Sequence, residues 1–386
     1  AALSIAQIRG LSTTQLRFLT TDQVGSLAAE VLGGLTSSQV AGLAPTQLAA
    51  LSTTQLAGFG STQIRGLSTT QIAALDSDDL AALGPAGLAA MTSTQLAALS
   101  TTTLQALGST DLETLTSSQI RALTTTQLRS LTTAQFETLT PAQITFLASS
   151  QLPGLTTDLI AALTPSQAEA LTSSQLSTLA TTQNRALETT DRAGLGPGQV
   201  RGLTTSQIRS LTTDQLSGLS ETALSSLTSS QVAGLSMTQL GALMTNQLAA
   251  FGSAQLRGLS TTQIASLDSD DLAALGPAGF AALTTTQLAA ISATTLQSLG
   301  TAEVQALTSA QIGALTTAQL RALTTTQFAS LTPEQFRILS SIQTRALTTE
   351  QVASLTTDQV PGLTTTQLAS LAQTQIQALV TADLAL

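Results

Sequence analysis

From Leu3 to Leu386 the chain repeats every eight residues without an insertion or a deletion. With Leu3 as position 1, the pattern Leu-Thr-Thr-x-Gln-Leu/Ile/Val-x-x fills 48 octads. Position 1 is Leu in 44 of them, the exceptions being the equally apolar Phe59, Met91, Phe251 and Ile291. Position 6 is apolar and large in 44, failing only at Ala168, Asn184, Arg192 and Thr344, and position 5 is Gln in 35. A phase this strict means that each octad holds an equivalent place in a stack, where one slip would misplace every later residue.

A period of eight excludes two simple folds. In one continuous helix each octad would advance the Leu stripe by about 80°, smearing it around the cylinder. In a strand, positions 1 and 6 have opposite parity and would point to opposite faces. A third arrangement fits. Thr or Ser at position 2 with Gln at position 5 is a capping box, and apolar residues at positions 1 and 6 stand where a hydrophobic staple belongs. Each octad therefore starts a new helix. Proline agrees, because Pro45, Pro85, Pro141, Pro165, Pro197, Pro277 and Pro333 all fall at position 3, the first helical residue. Pro153 and Pro361 sit at position 7, each followed by Gly, where the helix is expected to stop. Gly at position 8, as in Gly10, Gly42 and Gly66, marks the helix end.

Helices of about five or six residues are too short to stand alone and must be held by neighbours. The expected fold is all-α, an α-solenoid or superhelical rod with one short helix per octad. Positions 1 and 6 are inside and positions 3, 4 and 7 outside. In alternate octads position 6 favours Ile or Val over Leu, which predicts two helices per 16-residue coil. With helices 8–10 Å apart such a rod would be roughly 200 Å long. A longer repeat overlies the octads: Arg65 to Met91 recurs from Arg257 to Leu283, 192 residues later. Residues 1–194 and 195–386 are thus read as two continuous blocks of 24 octads. The chain begins at position 7 without an initiator Met and carries no polar terminal repeat, so it is expected to be part of a longer array or to meet other copies end to end.

Composition narrows the function. There is no Cys, His, Trp or Tyr, and all 13 basic residues are Arg, against 22 acidic ones, for a net charge of −9. Without His, Cys, Lys or Tyr there is no Ser-His triad, thiolate nucleophile, Schiff base or imidazole metal site, and no catalysis or small-molecule substrate is expected. A pI near 4.4 argues against nucleic acid. Polar residues interrupt every apolar stretch well before the ~18 residues that membrane insertion needs.

Asp76, Asp78 and Asp79, copied at Asp268, Asp270 and Asp271, gather three carboxylates in four residues, as Ca²⁺ would require. The same pattern is equally a helix N-cap followed by acids in the first turn, and the Gly and Glu of an EF-hand loop are missing. These six are the candidate metal ligands, with helix caps as the competing reading and no other cofactor expected. Gly84-Pro85-Ala86-Gly87 lacks the Lys and the preceding strand of a phosphate loop and reads as an N-cap followed by N1 Pro. Asn184, Arg192 and Thr344 put polar groups where Leu belongs, either to line a pocket or by drift of the repeat.

Octads such as Leu203 to Ser210 (LTTSQIRS) and Leu315 to Ala322 (LTTAQLRA) resemble the LTTxQ[ILV]xx octapeptide arrays of large secreted or surface proteins of Gram-negative bacteria. The resemblance covers essentially the whole chain. It implies an exported protein at the cell surface or outside the cell, in which the array serves as a stalk, fibre or matrix component, and it carries no catalytic residues. The expected function is an extracellular structural protein that assembles with copies of itself into a filament, sheath or surface fibre. The alternative is an adhesin stalk that binds a ligand on one face.

Overall fold

The computed structural model describes residues 3–379. Among these residues there are 43 α-helices and two 3-10 turns, with no strand. The chain is an all-α solenoid of tandem short helices, divided into two compact units, Ala1–Gly194 and Leu195–Leu386.

One octad shows why the helices form. Helix Thr125–Ser130 is preceded by Leu123 and Thr124, both extended (φ −57°, ψ 128° and φ −70°, ψ 156°), and this pair makes the corner between helices. Thr124 Oγ1 accepts the N–H of Gln127 at 3.2 Å, and Gln127 Oε1 accepts the N–H of Thr124 at 2.9 Å. The capping box thus satisfies donors that a helix of six residues would otherwise leave bare. Leu128 at position 6 is fully buried and Leu131 at the next position 1 is nearly so. Burying each contributes about 1.5–3 kcal/mol, which the local helix cannot supply.

Packing corrects the expected coil. Helices pair with the helix three octads away, Ser37–Gly42 with Ser61–Gly66 and Ser93–Ala97 with Ser117–Ala122. A coil of two helices and 16 residues is therefore ruled out. Its physical cause lies in the Gln at position 5, whose amide is used at both ends. Gln127 Oε1 caps its own helix, while Nε2 donates to Leu96 O and Leu99 O, both at 3.0 Å and 31 and 28 residues earlier. Those carbonyls lie at the end of helix Ser93–Ala97 and at the corner after it, where carbonyls have no helical partner. The same 31- and 28-residue reach recurs at Gln71, Gln95, Gln119, Gln175, Gln287 and Gln351. A side chain that must rest over a corner sets the turn at about 28 residues, three and a half octads.

Glycine at position 8 stands at the helix end as expected, as the C-cap at Gly10 (φ −74°) and as the last helical residue at Gly42 and Gly66, with no left-handed backbone. At Gly66 it also lets the preceding coil approach: a Cβ there would lie 2.6 Å from Ser37 O. Pro153 and Pro361 behave as expected, each replacing its helix by a 3-10 turn, Leu152–Gly154 and Val360–Gly362. No described helix is long and apolar enough to cross a membrane.

Candidate functional site

The six acidic candidates occupy two equivalent helix starts. Asp76 Oδ1 accepts the N–H groups of Asp78 and Asp79, both at 2.9 Å, and Asp79 Oδ2 accepts the N–H of Asp76 at 3.3 Å. Asp268 does the same for Asp270 and Asp271 at 2.9 Å, with Asp271 returning a 3.4 Å bond. Burial raises the carboxyls of Asp79 and Asp271 above their ordinary pKa, and the neighbouring aspartates push the same way. Asp78 and Asp270 are exposed. The structure brings these carboxylates together as caps, and among the described residues no three acidic side chains converge as a metal-binding group.

Each Asp start leads into a paired helix, Ser77–Ala90 and Ser269–Ala282, bent at Gly84 (φ 61°, ψ −174°) and Gly276 (φ 62°, ψ −179°). These are the two positive-φ residues among those described, and that backbone region is open essentially to Gly alone. Pro85 and Pro277 then begin the second half of each pair. No phosphate loop results. Position 5 is Asp79 and then Gly87, so the amide that would reach back to the previous coil is absent from both octads.

The polar core residues separate into two cases. Thr344 is fully buried, and its hydroxyl donates to Ser340 O at 3.0 Å, four residues back. Arg192 is also fully buried; one terminal nitrogen donates to Asn184 O, while Nε and the other terminal nitrogen have no partner. Loss of water lowers its pKa to about 10, against the pull of Asp191. Asp191 is buried too, its carboxyl raised by desolvation, and one oxygen accepts the Glu188 N–H at 3.2 Å. Ala168, at position 6 three octads before Arg192, is small where the guanidinium stem is large. The arrangement is a buried charge with an incomplete set of hydrogen bonds.

The feature that the octad pattern did not reveal is the second use of Gln. Its signal was present: a capping box accepts Glu as readily as Gln, yet position 5 is Glu only at Glu303. A site that insists on an amide needs a donor as well as an acceptor. Read with the fold, this interface defines the class, an α-solenoid of short tandem repeats stitched coil to coil by Gln amides.

The chain belongs to the ALTTAQ repeat family. The family matches residues 1–29, 40–77, 72–109, 88–125, 104–141, 113–149, 185–221, 241–277, 264–301, 280–317, 312–341 and 333–365, well over half of the chain. Its six-letter motif stands verbatim from Ala314 to Gln319, running from position 8 of one octad to position 5 of the next. No curated protein matches the chain.

Proposed function

We propose that this chain is an extracellular structural protein that assembles with copies of itself into a filament, sheath or surface fibre and performs no catalysis. The observation that carries this reading is the uniformity of the coil-to-coil bond. Within each unit the Gln amide at position 5, as at Gln39 and Gln375, meets carbonyls 28 and 31 residues back. Contacts of one kind that repeat without closing extend naturally into open assemblies. The absence of His, Cys, Lys and Tyr from the sequence points the same way, towards a material rather than a catalyst. Electron microscopy of the purified chain at rising concentration tests this. Long filaments or fibres of uniform width are expected. Single particles at every concentration would overturn self-assembly and leave the stalk reading in its place.

A further inference from the structure

A turn of about 28 residues places octads that are seven apart, 56 residues, on the same side of a unit. Charge follows that rule. In the first unit the exposed Arg9, Arg65 and Arg121 are spaced by 56, and Arg17, Arg129 and Arg185, one octad further on, fall on multiples of the same spacing. Acidic residues occupy the octads beginning at Leu19, Leu75, Leu131 and Leu187, again 56 apart, with Asp22, Asp78, Glu137 and Glu188 among them. These acidic octads lie two octads after Arg9, Arg65 and Arg121, which is just over half a turn. These acids therefore stand opposite Arg9, Arg65 and Arg121, with Arg17, Arg129 and Arg185 one octad before them and Glu30, Asp111, Glu113, Asp158 and Glu169 in other octads. Apart from the buried Arg192, no octad of this unit holds both signs.

The second unit, taken by itself, repeats the arrangement. Arg201 and Arg257 are 56 apart, and Asp214 and Asp270 follow each by 13 residues, as Asp22 and Asp78 follow Arg9 and Arg65. Only the octad Leu331 to Ile338 carries both signs, as Glu334 and Arg337.

We propose that each unit has an arginine face and an acidic face of equal axial repeat, and that they dock side by side on a second copy of this chain. The proposal rests on the self-assembling role above and gives it a lateral contact. Equal repeats mean that two parallel copies set side by side meet arginine with carboxylate every second turn, at one stagger and not at others. The contact is heterologous, since each copy uses one face to bind and leaves the other open, so copies add in rows. A single exposed ion pair is worth at most about 1 kcal/mol and is weakened by salt, so the rows depend on many pairs and on low ionic strength.

Two full-length variants test it. One changes Arg9, Arg65, Arg121, Arg201 and Arg257 to Glu, turning the 56-residue arginine repeat acidic. The other changes Asp22, Asp78, Glu137, Asp214 and Asp270 to Arg, placing Arg in the acidic repeat. Circular dichroism confirms that each keeps its helix content, and lateral association is read by light scattering and microscopy at low and at high NaCl. Side-by-side association of the unmodified chain should fall at least tenfold in high salt, neither variant should associate alone, and an equal mixture of the two should associate again. Variants that bundle like the unmodified chain, a mixture that stays dispersed, or association indifferent to salt would overturn the charged contact. Single filaments that persist in those cases would leave the assembly role standing, whereas no association of the unmodified chain in any condition would overturn both.

Discussion

Octads 115–154 and 163–194 lie in the same unit and keep the same phase, yet they are held differently. In the first stretch position 6 is Ile120, Leu128, Phe136, Ile144 and Leu152, all essentially without solvent contact. Each of its five Gln residues hands its amide to carbonyls 28 and 31 residues back. In the second stretch position 6 is Ala168, Leu176, Asn184 and Arg192, the N-caps Ala180 and Glu188 offer no side-chain bond, and position 5 ends in Asp191. Gln167, Gln175 and Gln183 nevertheless bond as elsewhere. The register of the solenoid therefore survives the loss of good core residues where the amide bonds remain. Apolar burial supplies stability, and in this stretch the amides of Gln167, Gln175 and Gln183 hold the phase.

The sharpest way to break that comparison is to remove the amide from the well-packed stretch. Gln127→Glu keeps an oxygen for the capping box but turns the buried donor into a carboxylate facing Leu96 O and Leu99 O. The expected loss is about 3–4 kcal/mol, because a buried charge is left against acceptors. Neighbouring coils share stability in such arrays, so hydrogen exchange should accelerate from both 93–99 and 124–130. Equal protection in the variant and the parent would refute the second role of Gln.

The converse substitution strengthens the poor stretch. A guanidinium pushed down from its ordinary value to about 10 corresponds to about 3 kcal/mol against folding. Arg192→Leu should recover an amount of that order, raising the denaturation midpoint. The sign with pH follows. The unfolded chain holds the proton more tightly than the folded one, so the penalty is complete below about 10 and fades only as pH rises above it. The gain from Arg192→Leu should accordingly be the same at pH 6 and pH 9. Asp191 acts at the other end of the scale. Its raised carboxyl favours the fold only while protonated, so its cost grows as pH rises through its folded value.

Much of this was legible because local chemistry dictates it. Thr-x-x-Gln reports a helix start from local residues alone, failing at Thr356 to Gln359, where Pro361 follows, and Pro45 or Pro141 at N1 reports the same point independently. The coil count was not legible. Ile–Leu alternation at position 6 reflects side-chain volume in the core, whereas the number of octads per turn is set by how far Gln127 reaches to find open carbonyls, a long-range fact. The charged faces were hidden for the same reason, since Arg9 and Arg65 align only once the turn is known. Asp76 was ambiguous between cap and metal ligand because both need the same carboxylates; its bonds from Asp78 and Asp79 show that it caps.

The bent helix pairs give the two smaller tests. At Gly84 a Cβ would meet nothing within 4 Å, so Gly84→Ala isolates the backbone: φ 61° with ψ −174° should cost about 2 kcal/mol without any clash. Asp76 then distinguishes cap from ligand. Asp76→Ala removes the oxygen that two N–H groups share and should lose about 1 kcal/mol, whereas Asp76→Asn keeps an acceptor and should lose only a few tenths. A calcium site would reverse that order of importance, because Asn retains the cap but gives up a charge the cation needs. If the carboxylates are caps alone, thermal midpoints in Ca²⁺ and in EDTA coincide for the parent and for Asp76→Asn. A midpoint that rises with Ca²⁺ in the parent and not in Asp76→Asn would turn the same three residues from the start of a helix into a binding site.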